Sequence, residues 1–296
     1  MLSPISRLHL DRLSVSFDVP VDLRDEFARW LRDHGRRVES REYGLASTLP
    51  NPNGQDSIAF VACRPVRPFV RFARVDFNPS RTPMAPRILS TLLQPFLPPQ
   101  GWTATRLTRI DIAVDYLVAL AELVAFARNR TANLYCGPAG IETMVLGAKR
   151  SRRKLVLYDK RAEMQTRNMP VPAHPVTRIE AQIRPLRMSV LDLPTLPNPF
   201  SDLVVTQPAP AGGPLKDRLY LTEARRIGLD AVVKQLKRHE RARVRALLAA
   251  APVPFVHPQE IFDRDYGSAA EEVVRQLTGE PTLPLRSAHV ATPETP

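Results

Sequence analysis

Apolar and polar positions alternate near the start of the chain, with Leu13, Val15, Phe17 and Val19 set against Ser14, Ser16 and Asp18, the period of a half-buried strand. Asp22 then stands as an N-cap residue ahead of Leu23, Phe27, Trp30 and Leu31, whose spacing predicts a helix that Gly35 ends. Alternation returns over residues 69–77 and stops at Asn78-Pro79. Ile88, Leu89, Leu92 and Leu93 predict a short helix closed by Pro95 and Pro98. A further strand is predicted over residues 106–116, and Leu120, Leu123, Val124 and Ala127 predict a helix over residues 119–130. Strand patterns follow at 154–160 and 177–184, separated by a segment whose Pro170, Pro172 and Pro175 exclude regular structure.

This order predicts an α+β fold, a mostly antiparallel sheet with helices on one face and a polar catalytic face, followed by a small helical region. The domain expected to do chemistry spans residues 1–205. Prolines crowd residues 194–214, a composition expected of a linker or wrapping arm, with the linker proper at 206–214. Residues 215–280 form the basic helical region, expected to serve recognition or dimerisation, in which Gly228 divides a shorter helix from a longer one. Residues 281–296 lack apolar periodicity and are expected to be a disordered tail.

Composition narrows the function. At 44% hydrophobic and 24% charged residues, the chain matches neither a disordered nor a membrane protein. No apolar run is long enough to span a bilayer, and the first residues lack a secretory signal, so the expected location is the cytosol. Cys63 and Cys136 are the only cysteines, without CxxC spacing, and read as buried bystanders. A metal would have to be held by oxygen. Lys and Arg outnumber Asp and Glu by 42 to 30, a net charge of +12, which makes nucleic acid the expected partner, although an arginine-rich proteome would give the same balance.

The charges are patterned. Three predicted strands carry an arginine, an apolar residue and an acid: Arg74-Val75-Asp76, Arg109-Ile110-Asp111 and Arg178-Ile179-Glu180. Period two puts each arginine and its acid on one face. Arg109, Asp111 and Asp115 share a face, as do Arg178, Glu180, Gln182 and Arg184; Tyr158 falls among the carboxylates if its strand, with Val156 and Lys160 in the same phase, is a neighbour. Asp76, Asp111 and Glu180 then offer oxygen ligands to Mg²⁺ or Mn²⁺. Asp115, four strand residues from Asp111 and so about 13 Å away, is a weaker ligand and a candidate for orienting water or an arginine. The alternative is that these residues are cross-strand ion pairs on a solvated sheet.

Four segments, ARVDFNP (73–79), LTRIDIAVDY (107–116), GAKRSRRKLVLYDKRAE (147–163) and VTRIEAQIR (176–184), together resemble the replication initiation factors of rolling-circle plasmids and filamentous phages, the trans-acting Rep type. The resemblance covers roughly residues 10–205. It implies a metal-dependent enzyme that nicks origin DNA through the tyrosine of the YDK motif, here Tyr158, leaving a 5′-phosphotyrosine link and a 3′-hydroxyl primer. Lys160 is expected to assist it, Asp76, Asp111, Asp115 and Glu180 to serve the metal, and Arg74, Arg109 and Arg178 to support them. No histidine-hydrophobe-histidine pair exists, so histidine-held metal is not expected.

Two basic clusters are the expected DNA contacts. Lys149, Arg150, Arg152, Arg153 and Lys154 precede the tyrosine strand; Lys234, Lys237, Arg238, Arg241, Arg243 and Arg245 lie at the end of and after a segment, 221–235, that faintly resembles a helix-turn-helix. The expected partner is origin DNA, single-stranded or extruded, with a host helicase and a second copy of the chain as further candidates and no membrane. The competing readings are a non-catalytic DNA-binding regulator or origin-binding protein, an RNA-binding sheet, disfavoured by the lack of stacking aromatics, and a nuclease that uses water.

Overall fold

The structure, a computed structural model, describes residues 7–51, 57–127, 130–137, 140–206, 214–227, 229–250 and 256–279. Along the chain the strands are β1 (Leu8–Phe17), β2 (Arg36–Arg37), β3 (Tyr43–Pro50), β4 (Ser57–Pro65), β5 (Ala73–Phe77), β6 (Arg106–Tyr116), β7 (Val124–Ala127), β8 (Ala132–Gly137), β9 (Gly140–Leu146), β10 (Arg153–Asp159), β11 (Thr177–Ile183) and β12 (Leu203–Thr206). The helices are α1 (Arg24–His34), α2 (Ala85–Leu93), α3 (Lys160–Thr166), α4 (Leu215–Ile227), α5 (Leu229–Gln235), α6 (Arg238–Ala250) and α7 (Pro258–Thr278). Ten strands form one antiparallel sheet in the order β2-β3-β4-β5-β1-β6-β11-β10-β9-β8, and β12 pairs with β7 apart from it. The fold is α+β.

One face of the sheet is apolar. Leu13, Val15, Val75, Ile110, Ile112, Val114, Leu155, Leu157 and Ile179 are fully buried there, against Phe27 and Leu31 of α1, Leu89 and Leu93 of α2, and Tyr266 and Leu277 of α7. Each such large apolar side chain contributes about 1.5–3 kcal/mol. The partner face carries Ser14, Ser16, Arg74, Asp76, Arg109, Asp111, Arg178 and Glu180, and this in-out alternation aligns across β5, β1, β6 and β11 through their register.

Several local expectations change. Of the helix expected over residues 119–130, the described residues 119–127 form a 3-10 turn (Leu120–Glu122) and strand β7 instead. Ala125 and Ala127 face the main core, while Val124 and Phe126 face a second core with Leu221, Ala224, Val232 and Val244. A strand buried on both faces reads as one apolar run, which periodicity cannot separate from a helix. Asp22 lies in a 3-10 turn before α1 and makes no capping bond; Gly35 does end α1, its N–H donating to the Leu31 carbonyl at 3.1 Å. The strand expected from Phe69 starts at Ala73, because residues 66–70 turn between β4 and β5.

The proline-rich arm is ordered before residue 207: Val190–Thr195 is a 3-10 helix capped by Ser189, Phe200 is buried, and β12 closes on β7. Residues 207–213, most of the expected linker, lie outside the described residues, as do Gly228 and the tail from 280. The long basic helix is divided at Leu236-Lys237 into α5 and α6. At the end of the same region α7 returns to the main core, its Tyr266 hydroxyl donating to the Leu193 carbonyl at 2.7 Å. Removing residues 215–296 would therefore strip a wall from that core. Cys63 is buried, but Cys136 is exposed on β8, at the sheet edge. No described helix is long and apolar enough to cross a membrane.

Candidate active site on the polar face of the sheet

Antiparallel register lines up the expected residues in rows. Tyr158 pairs with Arg178, which pairs with Asp115; Val156, Glu180 and Ala113 form the next row; Lys154, Gln182 and Asp111 the third, with Arg12 of β1 opposite Asp111. The central strands thus bring Tyr158, Glu180, Asp111 and Asp115 onto one face. Asp76 is farther across the sheet, on β5 beside β1.

The arginine-acid triplets are not equivalent. Arg74 donates to Asp76 at 2.8 and 2.9 Å, and Arg109 to Asp111 at 2.8 and 2.6 Å, each closing the pair within its own triplet. Arg178 instead reaches across to Asp115, donating through Nε and Nη2 at 2.6 Å each, and to Asp11 through Nη1. His9 Nε2 stands 3.4 Å from Asp115. Glu180 is left without an ion-pair partner among the described residues: one oxygen accepts from the Gln182 amide at 2.7 Å, and the other lies 3.5 Å from the Tyr158 hydroxyl.

The electrostatics follow from these partners. Burial works against ionisation at Asp76 and Asp115, but Arg74 and Arg12 outweigh it at Asp76, and Arg178 with His9 outweighs it at Asp115, so both fall below the usual carboxylate range. At Glu180 burial wins, reinforced by the nearby charges of Asp111 and Asp11, and the carboxyl is raised. Asp111 is raised too, burial exceeding the effect of Arg109. Burial, then the Glu180 charge, pushes the Tyr158 phenol well above its ordinary value.

Lys160 departs from the expected phase. Strand β10 ends at Asp159, whose carboxylate caps α3 by accepting from the Ala162 N–H at 3.0 Å, so Lys160 begins a helix. Its ammonium donates to Glu163 at 2.7 Å and sits 5.8 Å from the Tyr158 ring centroid. Glu163 also pairs with Arg167 and lies close enough to Tyr158 for its hydroxyl to help lower the Glu163 carboxyl, after burial, which opposes this, and the larger effect of Lys160. Sequence reasoning missed Asp11, Arg12 and Glu163. Among the described residues no three carboxylate, histidine or cysteine groups converge as a cation site. What the face does offer is Glu180, a buried carboxylate with no arginine on it among the described residues, which suits an ion such as Mg²⁺ that takes one or two protein carboxylates and fills its sphere with water and substrate phosphate, whereas both oxygens of Asp111 are taken by Arg109.

No family model matches the chain, and no curated protein matches it. Among solved structures it is similar to a rolling circle replication initiator protein from Geobacillus stearothermophilus. The likeness covers 74% of this chain and 97% of that one, at 15% identity and a TM-score of 0.40.

The basic clusters sort by environment. Lys149, Arg150 and Arg152 are exposed ahead of β10, and Lys154 points along the Tyr158 face with its ammonium lowered by burial and by Arg184, Lys149 and Arg109. Arg153 faces the other way and is committed to Asp202 at 2.6 Å and to the Pro199 carbonyl at 2.9 Å. Lys234 and Lys237 are exposed, and so are Arg238, Arg241 and Arg245, which recur on one face of α6. Arg243 is bound to the buried Asp217 at 2.7 Å.

Proposed function

We propose that the chain is a rolling-circle replication initiator that nicks origin DNA through Tyr158. The observation that carries this reading is the contact of the Tyr158 hydroxyl, at 3.5 Å, with Glu180, the acid on the arginine-rich face that no arginine among the described residues neutralises. A buried phenol with a raised proton affinity needs a base beside it, and a carboxylate raised by burial is a better base than one locked to arginine.

In the proposed reaction Glu180 takes the phenolic proton as the Tyr158 oxygen attacks the scissile phosphorus. The new tyrosyl oxygen–phosphorus bond replaces the bond to the 3′ oxygen, which leaves and takes up a proton as the 3′-hydroxyl. The 5′ end stays on the protein as a phosphotyrosine, and the hydroxyl primes synthesis. Lys160 neutralises a phosphate oxygen near the ring. Glu180, through the oxygen that does not face Tyr158, would hold Mg²⁺ or Mn²⁺, which when bound polarises the phosphate and stabilises developing charge. Asp76, Asp111 and Asp115 serve instead to fix arginines. The inferred partner is origin DNA presented as a single strand; a host helicase and a second copy of the chain remain candidate partners, and recognition of the origin is assigned to the exposed face of α6.

The test is incubation with single-stranded origin DNA and Mn²⁺, resolved on a denaturing gel. A DNA-protein band that is present in the wild type and absent in Tyr158→Phe supports the reading; a band of unchanged intensity in that variant rejects Tyr158. The closing of two triplets as ordinary ion pairs favours the second reading, a DNA-binding regulator without nicking activity, for which no band forms with either protein.

A further inference from the structure

A groove of about 550 Å³ opens where β5 and β6 begin and β1 and β11 end, on the polar side of the sheet. Arg41, Arg67, Arg71, Arg74, Arg106 and Arg187 line it against one acid, Glu42. Arg74 holds Glu42 at 2.8 Å, while Arg41, Arg67, Arg106 and Arg187 make no ion pair among the described residues. A second depression of about 360 Å³ shares Glu42, Arg74, Thr108 and Pro185 with the first and adds Arg109, Lys149, Arg150 and Arg184, so the two form one track. The charge pattern of the sequence put DNA at the Lys149–Lys154 run and on α6, not here.

Phe69 stands on the groove wall with 80% of its surface exposed, in the loop between β4 and β5. That loop is ordered: the Val66 N–H donates to the Glu42 carbonyl at 2.9 Å, the Val70 N–H to the Arg67 carbonyl at 3.2 Å, and the Arg64 N–H to the Phe72 carbonyl at 3.1 Å. A large ring on a braced loop with nothing packed over it is a stacking surface, and unpaired guanidinium forks beside it match phosphate oxygens.

We propose that this groove holds the single-stranded DNA on one side of the scissile phosphate, its phosphates on Arg67, Arg106 and Arg187 and one base stacked on Phe69. The placement rests on the reading of Tyr158 as nucleophile. Arg184, on the track, lies four residues along the β11 run from Glu180, which the Tyr158 hydroxyl touches, so the track meets the strand roughly 13 Å from the attacking oxygen. That separation suits a flank that fixes register and leaves the cut phosphate to the tyrosine. Stacking on Phe69 requires an unpaired base, so the groove discriminates single strand from duplex.

The experiment measures binding of a fluorescently labelled, mixed-sequence single strand and of the same sequence as duplex to the full chain in metal-free buffer at several salt concentrations. Phe69→Ala is expected to weaken single-strand binding about tenfold and leave duplex binding within twofold. Arg67→Ala with Arg187→Ala is expected to lower the slope of log affinity against log salt by about 1.4 for single strand. All three side chains are exposed, so thermal unfolding should not move and confirms that the variants fold. Wild-type single-strand affinity in Phe69→Ala, equal losses for strand and duplex, or an unchanged salt slope in the double variant each overturns the proposal. Covalent attachment at saturating DNA, measured after Mn²⁺ is added, separates the two readings: its absence from wild-type protein rejects the nucleophile, and leaves the groove to be judged by the binding curves.

Discussion

Asp115 and Glu180 lie on neighbouring strands of the same polar face, two residues apart in register, and differ in nearly everything chemical. Asp115 is gripped by Arg178 through two 2.6 Å bonds and held as a low-affinity proton acceptor. Glu180, nominally the partner of Arg178 in its triplet, keeps an amide and a tyrosine for neighbours and is raised by burial and by Asp111 and Asp11. The diverted arginine is the cause of both. The contrast teaches that a repeated arginine-acid motif is a structural device where it closes on itself and a source of reactivity where the arginine is drawn elsewhere.

The comparison breaks most forcefully at Arg178. Arg178→Ala leaves Asp115 and Asp11 facing each other beside Glu180 with no cation between them, and is expected to destabilise the fold by about 3–5 kcal/mol in denaturant unfolding. A loss under about 1 kcal/mol would mean the network carries no weight. Removing either acid separates the two roles by sign. Asp115→Asn should destabilise by about 2 kcal/mol, since it takes one of the two carboxylates from a buried guanidinium. Glu180→Gln should instead stabilise, within the roughly 0.5–2 kcal/mol gained when a strained functional group is relieved, while abolishing attachment to DNA. Destabilisation in both variants would erase the distinction.

A pH titration of unfolding sharpens it. Asp76 and Asp115, lowered in the fold, contribute stability that is complete above the ordinary carboxylate value of about 3.9 and is lost as pH falls through their folded values. Glu180 and Asp111, raised in the fold, contribute stability that is complete below the ordinary values, about 4.3 and 3.9, and is lost as pH rises through their folded values. Lowering pH from neutrality should therefore first increase the unfolding midpoint and then decrease it, and Glu180→Gln should flatten the first limb. The attachment rate should fall along that same limb, as the base is protonated. The smallest expected effect is at Lys149 and Arg150: neutralising both leaves the unfolding midpoint in place and lowers the salt slope of DNA binding by about 0.7 for each phosphate left without its cation.

Much of the face was legible before the structure. Alternation in β6, β10 and β11 set the phase of Asp111, Tyr158 and Glu180, because one buried face fixes the register of every strand that shares it. What escaped has physical reasons. Asp11 and Arg12 sit at an irregularity between Leu10 and Arg12, where parity breaks and no period-two count can assign a face. Glu163 needed Asp159 to be read as a helix cap: a capped helix puts Glu163 one turn from Lys160, whereas a strand continued through Lys160 does not. The diversion of Arg178 depends on which strand lies alongside β11, a long-range pairing with no local trace. The double burial of β7 hid that strand as a helix, and the return of α7 to the sheet is likewise a matter of tertiary packing.

The central claim is that the Tyr158 oxygen, with Glu180 as its base, becomes bonded to the 5′ phosphate. It is tested most directly by trapping the nicked product, digesting the protein and measuring the mass of the DNA-bearing peptide. The expected result is a nucleotide on Tyr158 in the wild type, with a matching free 3′-hydroxyl fragment, and none in Glu180→Gln. A nucleotide on any other residue, or cleavage that leaves a free 5′ phosphate on DNA with an unmodified Tyr158 peptide, would contradict it.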